Sequence, residues 1–501
     1  MSRDLQAEPL FPTKEIQGDI LVGLPKNHEH LVFFKIADAS KFKRFLRTLE
    51  ITSVEECLAK RAAIAANKAN KIETIIPTPG LNIAFTANGL RELGVQGLDV
   101  TPAEFRNGLA GSQNKLNDPA SSAWRVLKPN DDLHGVFLVT GASHAEVVDV
   151  IDLRLVPQDG NGWRLLHEEV GQVRPDPVRG HEHFGYADGV SQPGVRGRVD
   201  PVTPLTPQSG PDEDQGVRGQ DLLWPGEFVF GYNGQNPNGP DFTTKGEVKQ
   251  PPVPFMQDGA FMVFRRLAQL VPEFNASVKR AASGIGTPKD AADPTLLGAQ
   301  LVGRWKSGAP LELAPTADNT AFADGTERVN DFEFDQDREG LKCPWAAHVR
   351  KAYPRNDVRG DTNPQNPADV DKAEAFTQTH RMLRRGIAFG PELTEAEAMT
   401  QTSAGGAQTR GLLFLCYVTS LAGQFEFVQQ QWCDNKDFSQ PGSGIDPIIG
   451  QSPSSLRPFL GAAPFSGSTD NKPLLQLKGF VHLEGGGYFF APSIKQIKAL
   501  P

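Results

Sequence analysis

The sequence predicts an α+β protein built from two related halves. Two observations support this fold class. Short apolar runs followed by helical spacing recur along the chain, and a unit that begins after residue 250 has the same order as the first one. At 501 residues the chain is also too long for one ordinary core. We therefore expect one domain over residues 1–250 and a second over residues 251–501.

Three units in the first half each predict a strand followed by a helix. In HLVFFKIADASKFKRFLRTL (residues 30–49), the run LVFFKI predicts a strand, and the apolar residues after it follow helical spacing. GLNIAFTANGLRELG (residues 80–94) predicts a strand and a short helix that a glycine closes. Residues 134–155 repeat the alternation. This order is typical of an α+β domain.

The second half begins after a long connector. Residues 196–254 are rich in Pro, Gly, Asp and Gln and predict loops. GAFMVFRRLAQLVPEFNASV (residues 259–278) then repeats the first unit, which indicates an internal duplication, although chance similarity of two amphipathic units explains it equally well. The Pro- and Asp-rich residues 353–371 predict a surface loop. GFVHLEGGGYFFAPS (residues 479–493) predicts a strand, a glycine turn and a second strand.

Charge and cysteine usage exclude several classes of protein. The net charge of −9 argues against nucleic acid or an anionic membrane as the main partner. The longest apolar run, residues 411–423, is too short to span a bilayer. The four cysteines are scattered and form no CxxC, which excludes a zinc knuckle and a CxxCH haem attachment.

Two motifs look like metal sites and are better explained without a metal. DQDREG (residues 335–340) begins like a calcium loop, but its twelfth position is Ala346 instead of the bidentate Glu. A solvated acidic turn is the better interpretation. His181 and His183 lie one residue apart with no third ligand nearby, a pattern that is typical of surface histidines.

Three other segments contain candidate ligand or catalytic residues. In CPWAAHVRKAYPR, His348 stands among small apolar residues, where a neutral imidazole is a good axial iron ligand, although a core histidine beside a basic helix end is the alternative. In LRRGIAFG, one of two arginines is expected to point inward, or both form a surface pair. In GYADG, Asp188 is either a turn former or an acid/base.

Together these segments resemble the dye-decolorizing peroxidase family, and its long fungal branch in particular. GYADG is similar to the family's Gly-x-x-Asp-Gly signature, CPWAAHVRKAYPR to its proximal-histidine motif, and LRRGIAFG to its distal-arginine motif. IQGDIL, LVGRWKSGAP, GLLFLCY, QFEFVQQQW and GGYFFAPS also resemble family segments. The ordered set covers nearly the whole chain. The resemblance implies two ferredoxin-like modules of antiparallel sheet and helices, with one haem b held mainly by the second.

The resemblance also implies roles for individual residues. His348 would be the axial iron ligand, Asp188 the distal acid/base, and Arg384 the distal arginine. The cofactor-binding residues would be Arg350 and Arg355 at the propionates, Leu412 and Phe414 on the distal face, and Asp446 behind His348. Trp432 stands where some members carry a surface electron-transfer tryptophan, with a packed structural Trp as the alternative.

The implied function is that of a haem peroxidase. It would reduce hydrogen peroxide and oxidise bulky aromatic donors (dyes, phenols, lignin-like compounds) by one-electron steps, with Mn(II) as a further candidate donor. A non-peroxidatic haem-binding or haem-processing relative is the first alternative, and a catalytically silent binding protein that has lost its cofactor is the second. Having both Asp188 and Arg384 favours the peroxidase. The fungal resemblance predicts an extracellular enzyme, while a cytoplasmic one stays open.

Overall fold

The computed structural model describes residues 3–155, 160–284, 293–357, 366–452, 456–461 and 472–500. The strands are β1 (His28–Ile36), β2 (Gly80–Phe85), β3 (Gly135–Gly141), β4 (Trp163–Gln172), β5 (Gly194–Val195), β6 (Leu222–Leu223), β7 (Asn233–Gln235), β8 (Lys245–Val248), β9 (Ala260–Gln269), β10 (Leu383–Arg384), β11 (Ile387–Phe389), β12 (Gly411–Val418), β13 (Leu456–Leu460), β14 (Leu474–Lys478) and β15 (Val481–Ala491).

The α-helices are α1 (Gly18–Leu21), α2 (Ala39–Thr48), α3 (Val54–Ala69), α4 (Ala87–Glu92), α5 (Ala103–Gly111), α6 (His144–Val150), α7 (Val271–Ser283), α8 (Pro294–Val302), α9 (His348–Ala352), α10 (Pro367–Gln378), α11 (Glu395–Thr400) and α12 (Ile494–Lys498). Two π-helical segments, Leu421–Glu426 and Val428–Cys433, follow β12. The strand-then-helix units predicted at residues 30–49, 80–94, 134–155 and 259–278 are all present.

The two halves have the same strand order. In the first half, the antiparallel order β4-β1-β3-β2 places the fourth strand beside the first, as in a ferredoxin-like module. In the second half, β15 and β12 flank β9, and β11 pairs with β12. The strand order is thus that of two ferredoxin-like modules, which confirms the predicted α+β fold class. The domain boundary near residue 250 stays a prediction.

The two sheets close into one barrel. β2 pairs with β15 at Phe85 and Phe490, and β4 pairs with β11 at Gly171 and Phe389. Alternate residues of each strand then face two different cores. One set packs inside the barrel, and the other packs against the helices outside it. This double packing explains why the strand runs read as almost continuously apolar.

The end of the chain differs from its prediction. Residues Val481–Ala491 form one continuous strand, β15, instead of a hairpin. A Cβ at Gly486 would lie 2.3 Å from the backbone carbonyl of Phe264, so this glycine allows close approach of two strands and makes no turn. The register shifts between Leu483 and Gly485, which is a local bulge.

The loop predicted at residues 353–371 is also corrected where the structure describes it. Residues 354–357 are buried, and α10 begins at Pro367. The part between them, residues 358–365, lies outside the described residues. Among the described helices, none combines the length and the apolar character that a bilayer crossing requires.

Candidate active site

A deep cavity lies between the outer face of the second half-sheet and helix α9. The space open to the centre of a water molecule measures about 250 Å³. Most of the wall is apolar, and the apolar lining includes Phe184, Leu267, Val302, Leu412, Phe414 and Ile448. Among the charged or titratable residues that face the cavity are Asp188, Arg304, His348, Arg355 and Arg384. A mainly apolar wall with polar and charged groups that converge on it is typical of a cofactor site.

His348 begins helix α9 and faces this cavity. Two small buried residues, Ala346 and Ala347, precede it. Its Nδ1 donates to Oδ2 of Asp446 over 2.9 Å, and 24% of the side chain is exposed, on the side of the cavity. Burial lowers the pKa of His348, but the Asp446 carboxylate outweighs it, so the net pKa is raised.

Asp446 is held in place by its own backbone surroundings. It is fully buried, and its Oδ1 accepts from the backbone N–H groups of Ile448 (2.8 Å) and Ile449 (3.1 Å). Burial raises the pKa of Asp446, yet His348 and these two N–H groups outweigh that and lower it. The carboxylate therefore fixes the Nδ1–H tautomer of His348 and leaves Nε2 toward the cavity.

The predicted distal residue Asp188 lies on the loop that follows β4. Its N–H donates to the carbonyl of Gly180 (2.9 Å), and its Oδ1 accepts from the N–H of Gly189 (2.7 Å). Gly189 has φ +72° and nothing within 4 Å of its Cβ position, so the glycine is required by the backbone angle and not by crowding. This turn presents the Asp188 side chain to the cavity.

Arg384 ties the Asp188 loop to strand β10. Its Nη2 donates to the carbonyl of Ser191 (2.6 Å), its N–H donates to Oε1 of Gln192 (3.1 Å), and Nε2 of Gln192 donates back to its carbonyl (3.2 Å). Three hydrogen bonds thus join the two segments that carry Asp188 and Arg384. Both side chains line the same cavity, which they reach from opposite halves of the chain.

The second arginine of the pair, Arg385, binds the N-terminal helix α1. Nε of Arg385 donates to the carbonyl of Asp19 (2.8 Å), and Nη2 donates to that of Ile20 (3.2 Å). Both carbonyls belong to α1, within the IQGDIL segment. The alternative of a surface arginine pair is therefore wrong: Arg384 faces the cavity and Arg385 binds the N-terminal helix.

Leu412 and Phe414 line the cavity from strand β12, where alternate residues face the same side. They lie opposite Leu267 and Arg265 of β9 in the sheet register. Both residues, which the resemblance assigns to the distal face, are thus part of the cavity wall. Their predicted contact with the cofactor stays a prediction.

Arg355 and Arg350 separate in the structure. Arg355 lines the cavity, and its Nη1 donates a hydrogen bond to Oε1 of Glu333 (3.2 Å). Its guanidinium carbon lies 4.1 Å from the ring centroid of Phe332. Arg350 is fully buried outside the cavity, where Nε donates to Asp357 (2.9 Å) and Nη1 to Asp337 (3.1 Å). The expectation that Arg350 binds a propionate is corrected, because its side chain does not line the cavity and its guanidinium is bound to carboxylates and carbonyls elsewhere.

Arg304 is a cavity residue that the sequence analysis missed. It lies in the LVGRWKSGAP segment, and its guanidinium donates to the carbonyls of Gly308 (2.9 Å) and Val329 (2.7 Å) and to Asn330 (2.7 Å). Burial, followed by the nearby Arg355, lowers its pKa to about 9. LVGRWKSGAP is one of the segments that resemble the dye-decolorizing peroxidase family, and that resemblance could have pointed to Arg304.

Trp432 is not a surface residue. Only 2% of it is exposed, and it packs against His380 and Phe438 with ring centroids 5.1 and 5.4 Å away. His380 lines the cavity. Trp432 therefore lies behind the cavity wall, which excludes the surface position and agrees with the alternative of a packed structural Trp.

The two motifs that resembled metal sites have structural partners. His183 is buried, its Nε2 lies 2.9 Å from the carbonyl of Phe389, and burial lowers its pKa to about 4. Its predicted surface position is wrong. Asp337 is also buried, and it accepts from the N–H groups of Leu341 (2.8 Å) and Cys343 (2.9 Å). Instead of forming the expected solvated turn, Asp337 stabilises the segment that leads to His348 through these hydrogen bonds.

Comparisons with known proteins agree with this geometry. Residues 15–175 match the family model described as the DyP dimeric alpha+beta barrel domain. "Peroxidase 2" of Mycetinis scorodonius is 34% identical over 97% of this chain and 86% of that protein. "Dye-decolorizing peroxidase AauDyP1" of Auricularia auricula-judae is 34% identical with the same coverage.

Solved structures give the same result. An ancestral D-type dye decolorizing peroxidase superposes with a TM-score of 0.79 at 34% identity, over 98% of this chain and 99% of that one. A dye-decolorizing peroxidase in complex with 2,6-dimethoxyphenol gives a TM-score of 0.75 at 31% identity, over 98% of this chain and 99% of that one.

Proposed function

The chain belongs to the dye-decolorizing peroxidase family, and from this we propose which residues of its cavity carry the haem peroxidase activity. The enzyme reduces hydrogen peroxide and oxidises aromatic donors. One observation carries the assignment of the site. A histidine whose Nδ1 is fixed by a buried carboxylate faces a cavity that also contains an aspartate and an arginine.

The residues present fit a haem b. No described residue forms a hydrogen bond with Nε2 of His348, so this nitrogen is available to bind iron. The apolar wall suits the porphyrin face. Arg304 and Arg355 offer fixed cations for the propionates. Leu412 and Phe414 would pack against the distal face. When bound, the haem supplies the iron at which peroxide is cleaved and oxidising equivalents are held.

The protein's own groups then manage protons and charge. Asp188 accepts a proton from one oxygen of peroxide and returns it to the other, so that water can leave. The guanidinium of Arg384 stabilises the negative charge that develops on the departing oxygen. Asp446 holds the His348 ring in one tautomer and raises its basicity as a ligand.

The donors of this enzyme are proposed to be bulky aromatics, namely dyes, phenols and lignin-like compounds. A relative's complex with 2,6-dimethoxyphenol supports a phenolic donor. Oxidation of Mn(II) and an extracellular location stay predictions. The four cysteines are unpaired and buried, so no disulfide argues for secretion.

The test is the absorption spectrum of the purified protein before and after one equivalent of peroxide. We expect a Soret band that shifts on adding peroxide. Asp188→Asn and Arg384→Leu should keep the band and lose the shift, whereas Asp200→Asn, at an exposed turn, should keep both. A Soret band that ignores peroxide in the unmodified protein would leave a haem-binding relative without peroxidase activity. A protein that takes up no haem on reconstitution would remove His348 as the ligand.

A further inference from the structure

The tyrosines of this chain are few, and their partners are unusual. All five lie within the described residues, and four of them donate their hydroxyl hydrogen to a carboxylate. These pairs are Tyr232 with Asp258 (2.7 Å), Tyr353 with Asp221, Tyr417 with Asp19 (2.9 Å) and Tyr488 with Glu426 (2.9 Å). Tyr186 and Tyr353 line the cavity. Of the five tyrosines, only Tyr353 both donates to a carboxylate and lines the cavity.

Tyr353 joins the cavity to a polar cluster in its wall. It directly follows helix α9, five positions after His348, and part of its surface is open to the cavity. Its hydroxyl donates to Oδ2 of Asp221 and accepts from Nε2 of Gln378 over 2.8 Å. The side chain of Tyr353 therefore faces the cavity, and its hydroxyl hydrogen is shared with the carboxylate of Asp221.

Asp221 is placed to receive that proton. It is 2% exposed, and its Oδ2 also accepts from Nε2 of Gln378 (3.0 Å) and Nη1 of Arg381 (3.3 Å). The contact with Arg381 is an ion pair. Asp221 and Tyr353 lie 132 residues apart in sequence, so the pair is assembled by the fold.

We propose that Tyr353 is an oxidisable residue of this site, with Asp221 as its proton acceptor. Tyr353 gives one electron to the peroxide-oxidised site while its O–H bond breaks and the proton moves to Oδ2 of Asp221. The products are a neutral phenoxyl radical and a protonated Asp221. An aromatic donor later returns one electron to Tyr353, becoming oxidised, and Asp221 returns the proton. This inference rests on the proposed peroxidase function.

The surroundings of the ring favour loss of electron and proton together. The guanidinium carbons of Arg381 and Arg355 lie 3.5 and 4.8 Å from the ring centroid. Two cations this close oppose a positively charged radical, so the proton must leave with the electron. Burial raises the pKa of Tyr353 well above its usual range, which also opposes prior deprotonation.

The experiment is freeze-quench electron paramagnetic resonance of the haem-loaded protein after one equivalent of peroxide. We expect a tyrosyl signal in the unmodified protein and its loss in Tyr353→Phe. Asp221→Asn should reduce the signal, because the ring stays but the proton acceptor is gone. Tyr417→Phe is the matched control: it removes another tyrosine–aspartate pair, outside the cavity, and should keep the signal.

The outcomes separate this inference from the proposed function. A Soret band that responds to peroxide without any tyrosyl signal, or with a signal that survives in Tyr353→Phe, overturns the role of Tyr353. A Soret band that ignores peroxide overturns the peroxidase function first and this inference with it. Should Tyr353→Phe fail to hold haem, spin-trap adducts mapped by mass spectrometry on the unmodified protein decide: an adduct on Tyr353 supports the role, and adducts only elsewhere overturn it.

Discussion

Replacing Asp446 with asparagine is expected to move a proton on the His348 ring. The amide oxygen of Asn can still accept from the N–H groups of Ile448 and Ile449, so the local turn survives. The amide nitrogen would then face Nδ1 of His348, where two donors cannot meet. The ring therefore changes tautomer, and its proton goes to Nε2, the nitrogen that iron requires.

The size of this effect follows from the single bond that is lost. The carboxylate of Asp446 accepts from His348, Ile448 and Ile449 and also bonds the Cys433 thiol, and the variant removes the charged acceptor of the His348 ring. A hydrogen bond to a charged group is worth about 1.5–3 kcal/mol. Loss of a carboxylate behind a ligand histidine typically costs about 10–100-fold in metal affinity, which is about 1.4–2.8 kcal/mol. We therefore expect haem to bind about 10–100 times more weakly.

Titration of apoprotein with haem, followed at the Soret band, measures this affinity. Asp434→Asn is the matched control: Asp434 is another largely buried carboxyl group, and it bonds the cavity-lining residues Gln429 (2.8 Å) and Gln451 (backbone N–H, 2.6 Å) instead of His348. Burial raises its pKa to about 7, so an amide replaces a group that is often protonated. Equal haem affinity in the unmodified protein and Asp446→Asn would refute the tautomer argument.

Three further outcomes are expected. Arg385→Ala should lower the free energy of unfolding in urea by about 1–3 kcal/mol, because two hydrogen bonds to α1 are lost, and should keep the peroxide-induced Soret shift that Arg384→Leu loses. Burial raises the pKa of four carboxyl groups to about 7: Glu227, Glu312, Glu333 and Asp434. Their unfolded pKa values are ~4, so the folded state binds more protons, and stability present in mild acid should fall as pH rises through ~7, by on the order of 1 kcal/mol per pH unit per group at most. Because burial lowers the pKa of His183 and His380 to about 4, these histidines oppose the trend below ~6.5, so the comparison is made above that pH. Urea unfolding of apoprotein that is more stable at pH ~8 than at pH ~6.5 would contradict this. Trp432→Phe should lower stability by about 1 kcal/mol and leave the ratio of kcat/KM for a bulky dye to that for a small phenol unchanged, since Trp432 is buried; a selective loss of dye oxidation would make it a relay.

The sequence predicts the elements whose signal is local. Each strand-then-helix unit shows its own apolar period, so β1 with α2 and β9 with α7 could be placed without the fold. The glycine run of β15 could not. A glycine triplet predicts a turn by local rules, and only the carbonyl of Phe264 on the neighbouring strand explains why Gly486 is needed there.

The site shows the same limit. The family resemblance named His348, Asp188 and Arg384, and the structure brings all three to one cavity. The choice of Arg350 was wrong because nearness in sequence is not nearness in space. Two positions along a helix rotate the side chain by about 200°, so Arg350 points away from the side that His348 faces. Arg304 arrives from the end of α8, and no local pattern marks it.

The distal pair also acts on the proximal histidine across the cavity. Arg384 lowers the pKa of His348, and Asp188 raises it, so the two charges oppose each other at the ring. In the protein without cofactor, removing only one of them leaves the other uncompensated, so the two single variants should shift the pKa of His348 in opposite directions. Because three hydrogen bonds join Arg384 to the Asp188 loop, the fold keeps both charges together. In the protein without cofactor, the rise in the pKa of His348 therefore comes mainly from Asp446.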